Sequence, residues 1–263
     1  MKLYSASSEV SHAIKNRTFF LRARTVLKKA PFTAWIGMVV FMIYLIVAVF
    51  APFFAPYEEA EVFSIPYAPW SDEHILGTDQ IGRDIFSRLI FGARNTMGIA
   101  LATTFLSFLL GGSLGLIAAL DRGILDQFLS RAVDVLMAIP SLIFALMLLS
   151  IFGSTVMSLI IIIAVLDSTR VFRLTRSVSV GVVVMDYVEV ARLRGENPLW
   201  VMRHEILPNI LPPLIAEFGL RFCFVFLTIA ALSFLGLGIQ PPTADWGTMV
   251  RENASLIQFA AYD

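Results

Sequence analysis

Long uncharged stretches separated by short polar ones are the dominant pattern of this chain. No Asp, Glu, Lys or Arg occurs in residues 30–57, 95–120, 135–166 or 222–244. A helix rising 1.5 Å per residue needs about 20 apolar residues to cross the hydrocarbon of a bilayer, so each stretch has the length of a span. The pattern predicts helices over residues 32–54, 96–120, 131–152, 155–176 and 212–235. The third and fourth share the stretch 135–166, which is too short for two full spans and a loop. Each leg therefore borrows flanking residues, and the pair reads as a hairpin whose tip is Gly153-Ser154. Pro140 kinks the third helix. Gly111, Gly112 and Gly115 predict close packing of the second against a neighbour. The first stretch starts well inside the chain and is longer than a signal-peptide core, so it reads as a retained span.

Composition agrees with the pattern. Hydrophobic residues make up 57% of the chain and charged residues only 15%, with a mean hydropathy of +0.78. A soluble domain carries about 25% charged residues, so a soluble globular class is excluded. The single cysteine, Cys223, rules out a disulfide framework or a CxxC metal site. His12, His74 and His204 are scattered and make no metal set. No G-x-x-x-x-G-K-[ST] sequence occurs, so ATP binding by this chain is not expected.

The formal net charge is zero, but its distribution is lopsided. Seven basic residues precede the first stretch: Lys2, Lys15, Arg17, Arg22, Arg24, Lys28 and Lys29. Arg122 and Arg131 follow the second, and Arg170, Arg173, Arg176, Arg192, Arg194 and Arg203 follow the hairpin. The alternate segments hold only Arg83, Arg88, Arg94 and Arg251. Fifteen against four places the first set, and the N-terminus, on the cytoplasmic side. Five spans that start inside end outside, which leaves residues 243–263 external, too polar and too short to cross back.

Three polar segments carry more information. Between the first two helices stand Leu76-Gly77-Thr78-Asp79, Gly82-Arg83-Asp84, Ser87-Arg88-Leu89 and Gly92-Ala93-Arg94. Asp84 and Arg88 are four apart, a favourable helical spacing, so the segment reads either as an intramolecular clamp or as a receiving surface. After the hairpin, Glu189 to Leu193 reads as a short amphipathic helix that Gly195 ends. Pro198 opens a second helix, which Pro208 stops near Leu207. Beyond the last apolar stretch come Ala231-Leu-Ser-Phe-Leu-Gly-Leu-Gly-Ile-Gln-Pro-Pro-Thr243 and Trp246-Gly247. Inside the fifth helix Glu217 and Arg221 are four apart, either an interfacial ion pair or a lining of a translocation path. Asp134 and Asp167 fall near one membrane face, with Arg131 and Arg170 as partners three residues away.

The first segment resembles the LGTDxxGRDxxSRLxxGAR signature of permease subunits of peptide/nickel-type (dipeptide/oligopeptide) ABC importers, and the third is similar to the same subfamily. Tyr187-Val-Glu-Val-Ala-Arg-Leu-Arg-Gly195 with Ile206-Leu-Pro-Asn209 resembles their cytoplasmic EAA loop. Val190, Arg194 and Glu205 depart from that pattern. The resemblance implies an all-α, polytopic membrane protein with the type I ABC importer permease (MetI-like) fold and alternating access. It implies partners as well: a second homologous permease, two ATP-binding subunits that carry the ATP and Mg, and an external solute-binding protein. Glu189, Ala191, Arg192, Gly195, Leu207 and Pro208 would then form the coupling loop that meets the ATPase. Gly77, Asp79, Gly82, Arg83, Asp84 and Arg88 would form the external motif, and Glu217 and Arg221 a translocation path.

The expected organisation is a cytoplasmic segment 1–30, a first transmembrane helix 31–56 and an external segment 57–95. The importer transmembrane domain covers 96–237 with its coupling loop at 186–210, and an external C-terminal segment covers 238–263. Permeases of this kind usually have six spans, so the sixth is expected to be missing by truncation. A stand-alone secondary transporter or channel would show internal repeats or midplane charges on an ion route, and a membrane enzyme would show clustered His, Cys or carboxylates. The acidic residues read as lying at the membrane edges, which disfavours the first alternative.

Overall fold

The computed structural model describes residues 30–63 and 65–258. The seven basic residues from Lys2 to Lys29 and the terminal Asp263 lie outside the described residues. The chain falls into two units, Met1–Ile46 and Val47–Asp263. The described elements are helical, with an isolated Thr78–Asp84 bridge the one sheet-like pairing among them.

Helix α1 (Phe32–Val49) carries no charged or amide side chain. It ends earlier than expected: Phe50 leaves the helical path and α2 (Ala51–Phe54) begins anew with Pro52 at its start. Pro52 has no N–H to donate to the carbonyl four residues back, so the ladder of α1 is interrupted there and the proline instead sits in the first turn of a new helix. In contrast α3 (Ile85–Asp121) starts eleven residues before the predicted Thr96, because the Asp84 carboxylate accepts from Ser87 N and caps it within the polar segment. Arg122, at φ 47, ends it.

The predicted third helix is two. Helix α4 (Ile124–Ala138) and α5 (Ser141–Phe152) meet at 88°. Pro140 has no N–H, and Ile139 before it is extended at φ −93 and ψ 132, so the kink expected there is a full break. Gly153, at φ +84, turns the chain into α6 (Val156–Val183), as the hairpin reading required. Helix α6 runs seven residues beyond the predicted Arg176.

After α6 come α7 (Asp186–Leu193), α8 (Pro198–Val201), a π-helical turn (Met202–Ile206) and α9 (Leu207–Phe234). Pro208 does not stop the helix. Leu207 N donates to Met202 O, five residues back. The wider turn accommodates a proline that a regular α-turn would resist. Residues Pro198–Phe234 thus run as one 37-residue helical length. The polar C-terminal stretch forms α10 (Trp246–Gln258).

Three of the described helical lengths are long and apolar enough to cross a membrane, namely Phe32–Val49, Ile85–Asp121 and Pro198–Phe234, and the bent α4–α5 pair makes a fourth. Helix α6 has the length but carries Asp167, Arg170 and Arg173. It packs along α3, where a Cβ on Gly115 would stand 2.8 Å from Phe172 O and one on Gly111 would be 2.8 Å from Val171 Cβ. Gly112, by contrast, faces open space. The main core joins Ala100 of α3, Ala145 and Leu149 of α5, Leu159, Ile162 and Ile163 of α6, and Val225, Ile229 and Leu232 of α9.

Candidate functional site

The loop between α6 and α9 folds into a compact knob. Asp186 and Glu189 lie in the first turn of α7 and Arg192 in its last, so both signs complement the helix dipole. Gly195, at φ +82, reverses the chain, donating to Arg192 O at 2.9 Å while Glu196 N reaches Ala191 O at 3.2 Å. Asn197 caps α8 by accepting from Leu199 N at 2.9 Å, with Pro198 at the first helical position.

One face of the knob is anchored. Val188, Ala191, Val201 and Ile206 pack with Leu116, Val183, Ile210 and Leu214, which belong to α3, α6 and α9. The other face is bare: Leu193 is 81% exposed and Leu199 67%, on either side of Gly195. Of the six predicted coupling residues, Ala191 is buried, Leu207 is half-buried, and Glu189, Arg192, Gly195 and Pro208 are exposed. The departures Val190 and Arg194 are also exposed. Arg194 stands over the Trp200 ring at 5.8 Å, and Trp200 stacks on His204 at 4.7 Å.

The segment before α3 is built around Asp79. Its Oδ1 accepts from Ile81 N at 2.9 Å and Arg83 N at 3.0 Å, and its Oδ2 from Arg83 Nε at 2.7 Å and from Arg88. Burial alone would push this carboxyl up, but the backbone and guanidinium donors outweigh it and hold Asp79 below the usual carboxylate range. Gly77 and Gly82 have positive φ, and any Cβ there would run into the carbonyls of Ala68 and Phe63. The expected Asp84–Arg88 pair does not form. Asp84 caps α3 and bonds His74 Nδ1 at 3.0 Å, while Arg88 turns to Asp79 and to Glu252 of α10.

Glu252 also reaches Arg83 at 3.4 Å. Asp245 caps α10 by accepting from Thr248 N and takes a bond from Thr96 Oγ1 at 2.9 Å. The Trp246 indole donates to Leu89 O at 2.9 Å, and Glu59 accepts from Ala244 N and Asn95, each at 3.0 Å. The clamp reading of this segment therefore describes its geometry. Glu59, Asp245 and Glu252 were missed as members; an Asp directly before an amphipathic run is an N-cap signal that could have marked Asp245.

A second charge network lies between helices. Arg221 Nε stands 2.8 Å from Glu217 Oε1, the predicted pair, and its Nη1 is 3.5 Å from Asp167. Asp167 also accepts from Ser107 Oγ at 3.0 Å and faces Arg170 at 3.6 Å. Asp167 is buried within α6, eleven residues past Val156 in a helix that runs on to Val183. Asp134 pairs with Arg173 at 2.6 Å, not with Arg131. Asp126 accepts both Arg176 Nε and Nη2, at 2.5 and 2.6 Å, in a bidentate pair.

Comparison with known proteins adds to this geometry. Residues 111–262 match the family described as binding-protein-dependent transport system inner membrane component, and residues 18–69 match the N-terminal TM domain of oligopeptide transport permease C. The chain is 37% identical over 231 residues to the di/tripeptide transport system permease protein DppC of Pseudomonas aeruginosa, covering 85% of this chain and 76% of that one. It is 40% identical over 234 residues to the dipeptide transport system permease protein DppC of Escherichia coli K12, with 86% and 77% covered. For the dipeptide transport system permease protein DppC of Haemophilus influenzae the identity is 35% over 234 residues, with 86% and 79% covered.

Proposed function

The chain belongs to the family of binding-protein-dependent transport system inner membrane components, and from that premise we propose that it carries peptides across the bacterial inner membrane as one permease subunit of an ATP-driven importer. The observation that carries the mechanism is the knob of α7 and α8. Its inner face is welded to α3, α6 and α9, and its outer face offers Leu193 and Leu199 beside the Gly195 turn. Such a surface fits a groove on a partner that moves the knob as a rigid body.

The transport subunit is not itself an enzyme. ATP and Mg are handled by two ATP-binding subunits, a second homologous permease completes the pathway, and an external binding protein delivers the solute. Nucleotide binding draws the two ATPase subunits together and carries the knobs with them. The helices then rock between inward- and outward-open states, and hydrolysis resets them. The basic residues from Lys2 to Lys29 and around the knob set the N-terminus inside. The reading takes α1, α3, α4–α5, α6 and α9 as the five spans, with the Asp79–Glu252 clamp outside and Glu217 and Arg221 beside the path.

Affinity purification from solubilised membranes tests the proposal. The chain is expected to retain an ATP-binding subunit and a second permease, and the complex to accumulate a labelled dipeptide in vesicles only with ATP and binding protein. Accumulation by this chain alone, driven by an ion gradient, would overturn it.

A further inference from the structure

The break between α4 and α5 leaves a cavity of about 330 Å³, open on one side, among Ile139, Pro140, Ser141, Leu166, Thr169 and Arg170. A narrow seam of about 20 Å³ shares Ser141, Leu166 and Arg170 with it and reaches Asp167. Arg170 is fourteen residues past Val156 in a 28-residue helix, so it sits at the midpoint of α6. Its side chain is 45% exposed, and its one ion pair among the described residues, to Asp167 at 3.6 Å, is longer than a hydrogen bond. Asp167 already has Ser107 at 3.0 Å and Arg221 at 3.5 Å. Among the described residues, the five N–H donors of Arg170 are thus not consumed by the protein.

With α6 taken as a span, a half-exposed arginine inside it is costly unless it faces a polar path, and interrupted helices are where transporters seat their solutes. A guanidinium matches a carboxylate with two parallel bonds. The cavity volume falls at the lower end of the range for small-ligand sites, roughly 300–1,000 Å³. Leu136, Met137 and Leu142 give it an apolar wall for a side chain.

Resting on the peptide-importer reading above, we propose that Arg170 receives the C-terminal carboxylate of a short peptide in transit, and that the cavity at the α4–α5 break takes the peptide's adjoining residue. Glu217 and Arg221, the residues first singled out for the path, then serve to hold Asp167 and so leave Arg170 free for the ligand.

The test uses the intact importer with its ATPase subunits, second permease and binding protein in proteoliposomes, and radiolabelled alanyl-alanine as probe. Arg170→Gln is expected to lower uptake roughly ten- to hundredfold, the loss of a charge-assisted pair of bonds, and Arg170→Lys to fall between it and the wild type. In a Cys223→Ser background, Arg170→Cys is expected to regain uptake with a thiol reagent that adds an ammonium and not with one that adds a sulfonate. Arg170→Gln uptake within twofold of wild type overturns the site alone, as does a loss that both reagents leave unchanged. Absence of uptake by the wild-type importer overturns the peptide reading and the site with it.

Discussion

Arg88, nearly enclosed within the start of α3, donates to Glu252 of α10 at 3.0 Å across 164 positions of sequence. The same guanidinium bonds Asp79, so one side chain ties the polar segment, the first long helix and the C-terminal helix together. Removing one partner of a buried pair leaves the other charge uncompensated, at a cost of about 3–5 kcal/mol. Arg88→Ala is expected to lower the thermal midpoint in detergent sharply, and Glu252→Gln, which keeps one acceptor, to lower it less. Equal midpoints for wild type and Arg88→Ala would show that the clamp does not stabilise the fold.

Asp79 makes that clamp sensitive to acid. Its folded carboxyl is held below the value of about 3.9 for a free aspartate, so it adds stability above that value. The contribution is lost as pH falls through the folded value, once the carboxyl is protonated. Thermal unfolding followed from pH 7 down to pH 3 should therefore be steeper for the wild type than for Asp79→Asn. Asp79→Asn should also be the less stable of the two at pH 7. Parallel curves would contradict the assignment.

Two adjacent glycines in α3 should behave differently. A Cβ on Gly111 would meet the α6 backbone at Ser168 and Phe172, whereas one on Gly112 meets nothing within 4 Å. Gly111→Ala is expected to destabilise by about 1–3 kcal/mol, as overpacking does. Gly112→Ala should be neutral or stabilising by about 0.5–1 kcal/mol, since it relieves the helical penalty of glycine. Chemical unfolding in mixed micelles measures both.

At the knob, Gly195 combines a positive φ with open space around it. Gly195→Asp therefore strains and charges the turn without a clash in the core. Membrane yield should stay close to wild type while uptake drops by about tenfold or more, equivalent to at least about 1.4 kcal/mol of docking free energy. Uptake at the wild-type level would remove the knob from the coupling mechanism.

How far these features could be read in advance depends on their range in sequence. Apolar runs, the Gly153 tip and the Gly195 turn are local; the runs form helices, with shifted ends, and both glycines turn the chain where expected. Pro140 and Pro208 carry the same chemistry, yet one splits a helix at 88° and the other is absorbed by a π-helical turn. The difference lies in what packs around them, which a proline alone does not encode. Two expected ion pairs, Asp167 with Arg170 and Glu217 with Arg221, form, and two others differ for the same reason. Spacing suggested Asp84 with Arg88 and Asp134 with Arg131, while the partners that form, Glu252 and Arg173, come from distant helices. Arg170 reads in the sequence only as a neighbour for Asp167 and as one of the basic residues after the hairpin.

The π-helical turn has a mechanical consequence. Because it joins α8 to α9 without a break, Pro198–Phe234 is a single helical length of 37 residues, about 55 Å at 1.5 Å per residue. Tilting such a helix by about 10° about its lower end swings the far end through roughly 10 Å, by the geometry of that length. A modest push at the knob is thereby amplified, less whatever bending Pro208, Pro212 and Pro213 allow.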